Sequence, residues 1–291
     1  MGIKQTAEDG APKRRLAVVM TVHNRRALTL RCLRSLSRQE AVNIDLDIHL
    51  FDDGCTDGTS ESVVEEFGDV TIIKGDGHAF WGGGMHGAMQ SALKTEFDDL
   101  LWLNDDVSLS NNALATLFHA RDEAVRKSPN EAHIIVGAVT DPDTGRISYS
   151  GHRRKGRISP VRLESIASLQ EGLTPCDTMN GNCVLFTAEI IRRLGPNDPQ
   201  LIHQLGDIDY GYRATKLGFK IWIAPEPVGE CAPNPGPRNT LEKASLAERW
   251  RALTGPKGLP LRPWLHFMWR HAGPIGLLEL AAIYMKRLVS R

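Results

Sequence analysis

The chain has no long apolar run, no net charge and no paired cysteines. None of its apolar stretches approaches the roughly 18 residues that a membrane-spanning helix needs. The nearest, residues 276–284 (GLLELAAIY), is short and carries Glu279. Lys and Arg number 35, and so do Asp and Glu, so no overall field recruits nucleic acid or an acidic partner. The five cysteines (Cys32, Cys55, Cys176, Cys183 and Cys231) are odd in number and lack CxxC spacing. That argues against a disulfide framework and a structural zinc site, and predicts a reducing compartment. The opening stretch MGIKQTAEDGAPKRR has no hydrophobic signal region, and residues 1–13 read as a frayed tail. These absences predict a cytoplasmic protein, with peripheral contact at the inner face of the plasma membrane left open.

What is present suits a globular α/β chain. The 291 residues are 41% hydrophobic and 24% charged, an ordinary soluble balance with ample material for a core. Strand-like runs at 16–22, 46–51, 70–73, 100–103 and 134–139 alternate with helical spacing at 27–36, 59–67, 85–93 and 111–126. Asn24 is placed to cap the first helix. This rhythm predicts a mostly parallel, helix-covered sheet, which binds ligands at the carboxyl ends of its strands. Polar clusters fall at three such ends: His23-Asn24, Asp52-Asp53 and Asp105-Asp106. Further on, residues 146–171 hold a basic patch (His152, Arg153, Arg154, Lys155, Arg157) with little periodicity. A strand is expected at 182–187, helices at 188–194 and 207–217, and a strand at 220–224. Residues 225–237 carry five prolines and read as a boundary, with helical pattern from 239 to the end.

Each cluster has a chemical reading and a plainer one. Asp105-Asp106 concentrates negative charge after a buried strand, which a hard divalent cation would relieve while gripping a diphosphate; alternatively it is a solvated turn. The run Asp52-Asp53-Gly54-Cys55-Thr56-Asp57-Gly58-Thr59 offers carboxylates to a base or ribose, or simple turn and capping chemistry. Gly75-Asp76-Gly77-His78-Ala79-Phe80-Trp81-Gly82-Gly83-Gly84-Met85 puts three glycines before a helix, allowing a ligand close to the backbone, with Trp81 as a stacking face or a core residue. Asp207, at a helix start, is a candidate general base or a helix cap. Asp209 and Arg213 are spaced to pair along one helix face. In the C-terminal 50 residues, Trp250, Trp264, Trp269 and Tyr284 mingle with Arg and Lys. That mixture fits a membrane interface, or a helical layer packed on the catalytic unit or on a second copy.

In this order, VVMTVHNRRALTLRCLRSL, HLFDDGCTDGTSESV, LLWLNDDVSL and GDIDYGYRATKLGFKIWIAPEPV resemble family 2 glycosyltransferases of the GT-A fold. FWGGGMHGAM with TMNGNCVLF is similar to a bacterial, rhamnosyltransferase-like branch acting on cell-surface polysaccharide or lipid-linked glycans. The resemblance implies a GT-A catalytic domain at 14–238, with a Rossmann-like donor half (14–140) and an acceptor half (141–238), and a C-terminal helical extension at 239–291. It implies donor contacts from Thr21, His23, Asn24, Asp52, Asp53, Gly77, Trp81, Gly83, Met85, Asn104 and Asp105. Asp106, with Asp105, would hold Mg²⁺ or Mn²⁺, and Asp207 would be the base. Asn180, Gly181, His203, Asp209 and Arg213 would line the sugar or acceptor pocket. Where relatives have an acidic Glu-Asp pair that includes the base, this chain has Gly206 as the first member, and where many have a metal-binding His it offers Glu230 or Cys231. The implied reaction is inverting transfer from a UDP-, dTDP- or GDP-linked sugar to a glycan or lipid-linked hydroxyl. A sugar-nucleotide pyrophosphorylase would carry a Gly-rich basic loop where TVHNRR stands. A non-catalytic binding protein would have lost the carboxylates that are all present here.

Overall fold

The structure is a computed structural model describing residues 13–40, 42–129, 132–156, 158–234, 245–255 and 258–289. The chain opens with β1 (Arg14–Val22), α1 (Arg26–Ser37), β2 (Ile44–Asp52), α2 (Thr59–Phe67), β3 (Val70–Lys74), α3 (Phe80–Ala92) and β4 (Asp99–Leu103). It continues through β5 (Ser108–Leu109), α4 (Ala113–Lys127), β6 (His133–Val136), β7 (Val139–Thr140), β8 (Ile147–Tyr149), β9 (Gly151–Arg154) and β10 (Leu163–Ser165). Then come β11 (Thr174–Cys176), β12 (Thr178–Met179), β13 (Cys183–Thr187), α5 (Ala188–Leu194), α6 (Gly206–Lys216), β14 (Lys220–Ile223) and β15 (Gly229–Glu230). Two helices follow, α7 (Leu246–Thr254) and α8 (Leu261–Val289).

The apolar run in β1 is continuous because both faces of this strand are covered. Leu16, Val18, Met20 and Val22 point into a core shared with α1 and α4. Ala17 and Val19 point into a second core shared with α3, α5 and α6. β4 and β13 alternate the same way, with Leu101, Leu103 and Leu185 on one side and Leu100, Trp102, Val184 and Phe186 on the other. The result is a three-layer α/β/α unit around an eight-stranded sheet of order β11-β14-β6-β13-β4-β1-β2-β3. β4, β1, β2 and β3 run parallel, and β13 and β11 run against their neighbours. The connections reverse direction between β1 and β4, so the carboxyl ends of these two strands frame the crevice where such sheets take ligands.

Two small sheets, β10-β9-β12 and β5-β15-β7-β8, complete the second half. β15 pairs with β5 just after Asp105-Asp106. Gly229 makes this pairing fit, because a Cβ there would stand 2.3 Å from the Ser108 carbonyl oxygen. A third core joins Leu201, Ile208 and Tyr212 to Leu253, Trp264, Phe267, Leu280 and Tyr284 of the C-terminal helices. A Ser245/Glu248 capping box starts α7, and α8 breaks at Gly273 (φ 57°), with Pro274 next. Among the described residues no helix is long and apolar enough to cross a membrane. The expected tail falls almost wholly outside the described residues, as does the start of the expected C-terminal helical pattern at 239–244.

Two expectations are corrected. The glycine triplet lies inside α3, not before it. Helix propensity argues against glycine there, but Gly82 and Gly84 sit where a Cβ would meet the Leu201 carbonyl and Thr21 Oγ1 at 2.0 Å, so packing overrides propensity. Asn24 is not the cap of α1; it takes a left-handed turn (φ 52°) and turns its side chain to the neighbouring loop. Residues 146–171 hold three strands, each too short to show a period in the sequence.

Candidate active site

The strand-end loops of β1 and β2 are stitched together before they meet any ligand. Asn24 Oδ1 accepts the Thr56 N–H at 2.8 Å, and the Asp53 carbonyl accepts from His23 Nδ1 at 2.6 Å. Asp57 spans two helix starts, accepting the Arg26 N–H at 3.0 Å and the Thr59 N–H at 3.1 Å. Asp52 is 1% exposed and bound by Lys74 (2.7 Å), Ser60 and the Cys55 N–H, and these partners hold its pKa down to about 2 against its burial. Asp53, 3% exposed, accepts N–H groups of Gly77 (3.0 Å), Ala79 (3.1 Å) and Phe80 (2.8 Å). It is thus the anion at the positive end of α3. Both carboxylates, expected to contact the donor, are buried with their oxygens held by the protein's own donors. Met85 is likewise fully buried in the second core, and Thr21 lies against Gly84. His23 and Asn24 remain exposed, and Gly77 turns beside Gly54 with φ 89°.

At the end of β4 the acidic pair meets a cation that the sequence reading passed over. Arg25 follows the left-handed turn at Asn24, and its Nη1 donates to Asp105 Oδ1 at 3.3 Å and to Asp106 Oδ2 at 2.9 Å. Asp105 is 5% exposed and its Oδ2 is buried without a hydrogen-bond partner. Burial, with the adjacent Asp106 charge, pushes its pKa up to about 7 despite Arg25. Cys231, delivered by β15, lies 3.5 Å from Asp106 Oδ1. Burial and that carboxylate push its thiol up to about 12, so it stands there as a neutral donor. Glu230 is exposed. Among the described residues no cluster of three metal-ligating side chains forms. Two carboxylates, one with an orphaned buried oxygen, still fit a hard divalent ion that completes its shell with phosphate and water.

The second half brings Asp207 to the same floor. Leu205, in a left-handed conformation (φ 67°), turns the chain into α6 and sets Asp207 in its first turn. Asp207 Oδ2 accepts the Gly181 N–H at 3.1 Å, and burial raises its pKa despite that bond and one to Ile208 N–H. The next residue, Asn182, accepts the Asn104 N–H through its carbonyl at 2.9 Å, and its side chain reaches Cys231 Sγ at 3.7 Å. Trp81 closes the floor. Its Nε1 donates to Asn104 Oδ1 at 2.7 Å, and a Cβ on Gly181 would come within 2.4 Å of its ring. Thus Gly181 and Asn182 link the base candidate to the acidic pair through consecutive residues. His203 packs on Phe80, ring centroids 5.1 Å apart; Gly83 lies one residue into α3 from Gly82 and the Ile202 carbonyl it bonds.

Two residues expected at the acceptor pocket are elsewhere. Asp209 is fully buried and holds Arg213 (2.8 Å), Arg270 (2.8 Å) and His271 (2.8 Å), tying α6 to α8. Its neighbour Asp207 faces the opposite way because two residues on a helix lie 200° apart. Conversely, His152 on β9 had been read only as part of a basic patch. It is 9% exposed, its Nδ1 stands 3.1 Å from Ser165 Oγ, and it lies within the field of Asp207; burial lowers its pKa. Arg25 was visible in sequence as the NRR after the first strand; His152 had no signal beyond its charge.

Residues 17–176, more than half of the chain, match the model of glycosyl transferase family 2. The fold is similar to the mannosyltransferase PcManGT from Pyrobaculum calidifontis, solved with GDP-Man and Mn²⁺ (TM-score 0.53, 17% identity, 97% of this chain and 79% of that one). It is similar to S. aureus TarS residues 1–349 (TM-score 0.53, 12% identity, 75% and 60%). It also resembles GalNAc-T7 with UDP, GalNAc and Mn²⁺ (TM-score 0.55, 16% identity, 73% and 43%). At these identities the likeness is one of fold, and the chain spans only 60% of the TarS fragment and 43% of GalNAc-T7. No curated protein matches the chain in sequence.

Proposed function

The chain belongs to glycosyl transferase family 2 and is a glycosyltransferase, and from that premise we propose that it moves a sugar from a nucleotide-sugar donor to a hydroxyl by single displacement with inversion. The observation that carries the proposal is the Gly181-Asn182 link, which puts Asp207 and the Asp105-Asp106 pair on one floor. Residues 14–140 would hold the donor and residues 141–238 the acceptor. His23 and Asn24, exposed at the end of β1, would meet the nucleoside, and Trp81 the sugar face beside Gly181. The ligands of PcManGT and GalNAc-T7 support a nucleotide-linked donor and a divalent ion.

Asp105 and Asp106 would hold that ion, Mg²⁺ or Mn²⁺, which when bound offsets charge on the departing diphosphate. Asp207 Oδ takes the proton from the acceptor hydroxyl, leaving its oxygen to attack the anomeric carbon. Burial, by raising the carboxyl's pKa, makes it a stronger base than a solvated aspartate. Gly181 N–H fixes one of its oxygens. FWGGGMHGAM and TMNGNCVLF support a role in bacterial cell-surface polysaccharide synthesis, with a rhamnosyl or related sugar and a lipid-linked acceptor. Asp207→Asn tests the base: transfer is expected to vanish while nucleotide binding persists. Turnover at the wild-type rate would overturn the assignment.

A further inference from the structure

The C-terminal half of α8 is apolar on two faces. One face packs inward through Gly276, Leu280 and Tyr284, with Ile283 and Leu288 beside them. The other is a stripe of Ile275 (56% exposed), Leu278 (73%), Ala282, Met285 (63%) and Val289 (76%). Spacings of 3, 4, 3 and 4 residues keep these side chains in one seam about 21 Å long, at 1.5 Å per residue. Such a seam is uncommon on a free protein surface. A second, shorter row, Leu261, Leu265 and Trp269, precedes the break at Gly273.

Charge decides what covers it. Residues 261–289 contain one acidic side chain, Glu279. It points inward, where its Oε1 accepts from Ser159 Oγ. Arg262, Lys286 and Arg287 are exposed on the same helix. A second copy packed helix to helix would offer these cations no acidic partner, since Glu279 is turned inward. An anionic lipid surface would take the apolar seam into its acyl boundary and meet Lys286, which flanks the seam, and Arg262, which flanks the shorter row, with phosphates; Arg287, two positions from Met285 and Val289, faces away. We propose that α8 docks the protein on an anionic membrane surface. The third core attaches this helix to Leu201 and Ile208, which bracket the turn into Asp207. The docked face therefore joins the part of the molecule to which the proposed function assigns the acceptor. Docking itself does not depend on that function.

The test is flotation of the full chain with vesicles of phosphatidylcholine, with and without phosphatidylglycerol, at low and high salt. Binding is expected only with phosphatidylglycerol, weakening with salt. Leu278→Asp with Met285→Asp should cut it by about tenfold or more, while Leu217→Asp, an exposed apolar site on α6's C-terminal end, should not. The nucleotide-induced thermal shift, measured on the same variants, reports both folding and the donor site separately. Absence of binding to anionic vesicles, or equal binding by the double variant, would overturn the proposal. So would a dimer in sedimentation that the double variant converts to monomer, which would assign the seam to a second copy.

Discussion

Asp53 gives the sharpest stability prediction. Its carboxylate accepts three backbone N–H groups at the start of α3, at 2.8–3.1 Å, from a position only 3% exposed. Asp53→Ala removes an N-cap interaction, typically about 1 kcal/mol. It also leaves three donors without a charged acceptor, each such bond contributing about 1.5–3 kcal/mol when buried. Asp76 and His78 are exposed, so water can reach part of the turn and recover some of that. A net loss of about 2–4 kcal/mol follows, and at roughly 2–4 °C per kcal/mol for chains of a few hundred residues the Tm should drop by about 5–10 °C. Asp53→Asn keeps an acceptor oxygen and should lose about half as much. The assay is urea and thermal unfolding beside nucleotide titration well below the melting range. A support role predicts lower stability with nucleotide affinity changed less than about twofold. An unchanged Tm with a tenfold loss of nucleotide affinity would refute this reasoning and make Asp53 a donor ligand.

Other expectations follow from the same geometry. Arg25→Gln frees both acidic carboxylates, so Mn²⁺ should bind more tightly by calorimetry, by about tenfold for one removed competing cation; weaker binding would mean Arg25 helps hold the site. Because burial raises the Asp207 pKa, its base form appears only above that raised value. The kcat/KM should therefore climb with pH in the acidic limb, and a flat limb would contradict its role. Asp105 titrates near 7 when folded against 3.8 unfolded, so its raised pKa favours folding at low pH. That contribution, on the order of 4 kcal/mol, is lost as pH rises from about 4 to above 7. Without metal, stability relative to Asp105→Asn should fall over that window, and a constant difference would argue against the burial account. Gly84→Ala drives a methyl to within 2.0 Å of Thr21 Oγ1, and a loss of about 1–3 kcal/mol is expected on urea unfolding.

The first half of the fold was legible because its strands are doubly buried and its helices two-faced. Leu16 through Val22 and Leu100 through Leu103 carry that pattern in plain sight. The start of α3 was not legible, since its glycines are chosen by the approach of Thr21 and Leu201, which lie far off in sequence. For the same reason the internal partners of Asp52 and Asp53 were not legible: nothing local tells that their oxygens are held by Lys74 and by the α3 backbone. The acidic pair and Asp207 were singled out as candidates by motif order. Their link through Gly181 and Asn182 depends on β13 lying beside β4, a pairing between residues some 80 positions apart that no window reveals. Asp209 misled because helix periodicity shows which residues share a face but not which neighbour covers it; here that neighbour is α8.

In the proposed reaction Asp106 and its neighbour serve a donor diphosphate through a divalent ion. Calorimetric titration of UDP, dTDP and GDP, with and without Mn²⁺, tests it directly in the wild type and in Asp106→Ala. One nucleotide should bind the wild type much more tightly with Mn²⁺, and the gain should disappear in the variant. Equal affinity with and without the ion, or a full gain in Asp106→Ala, would contradict the account.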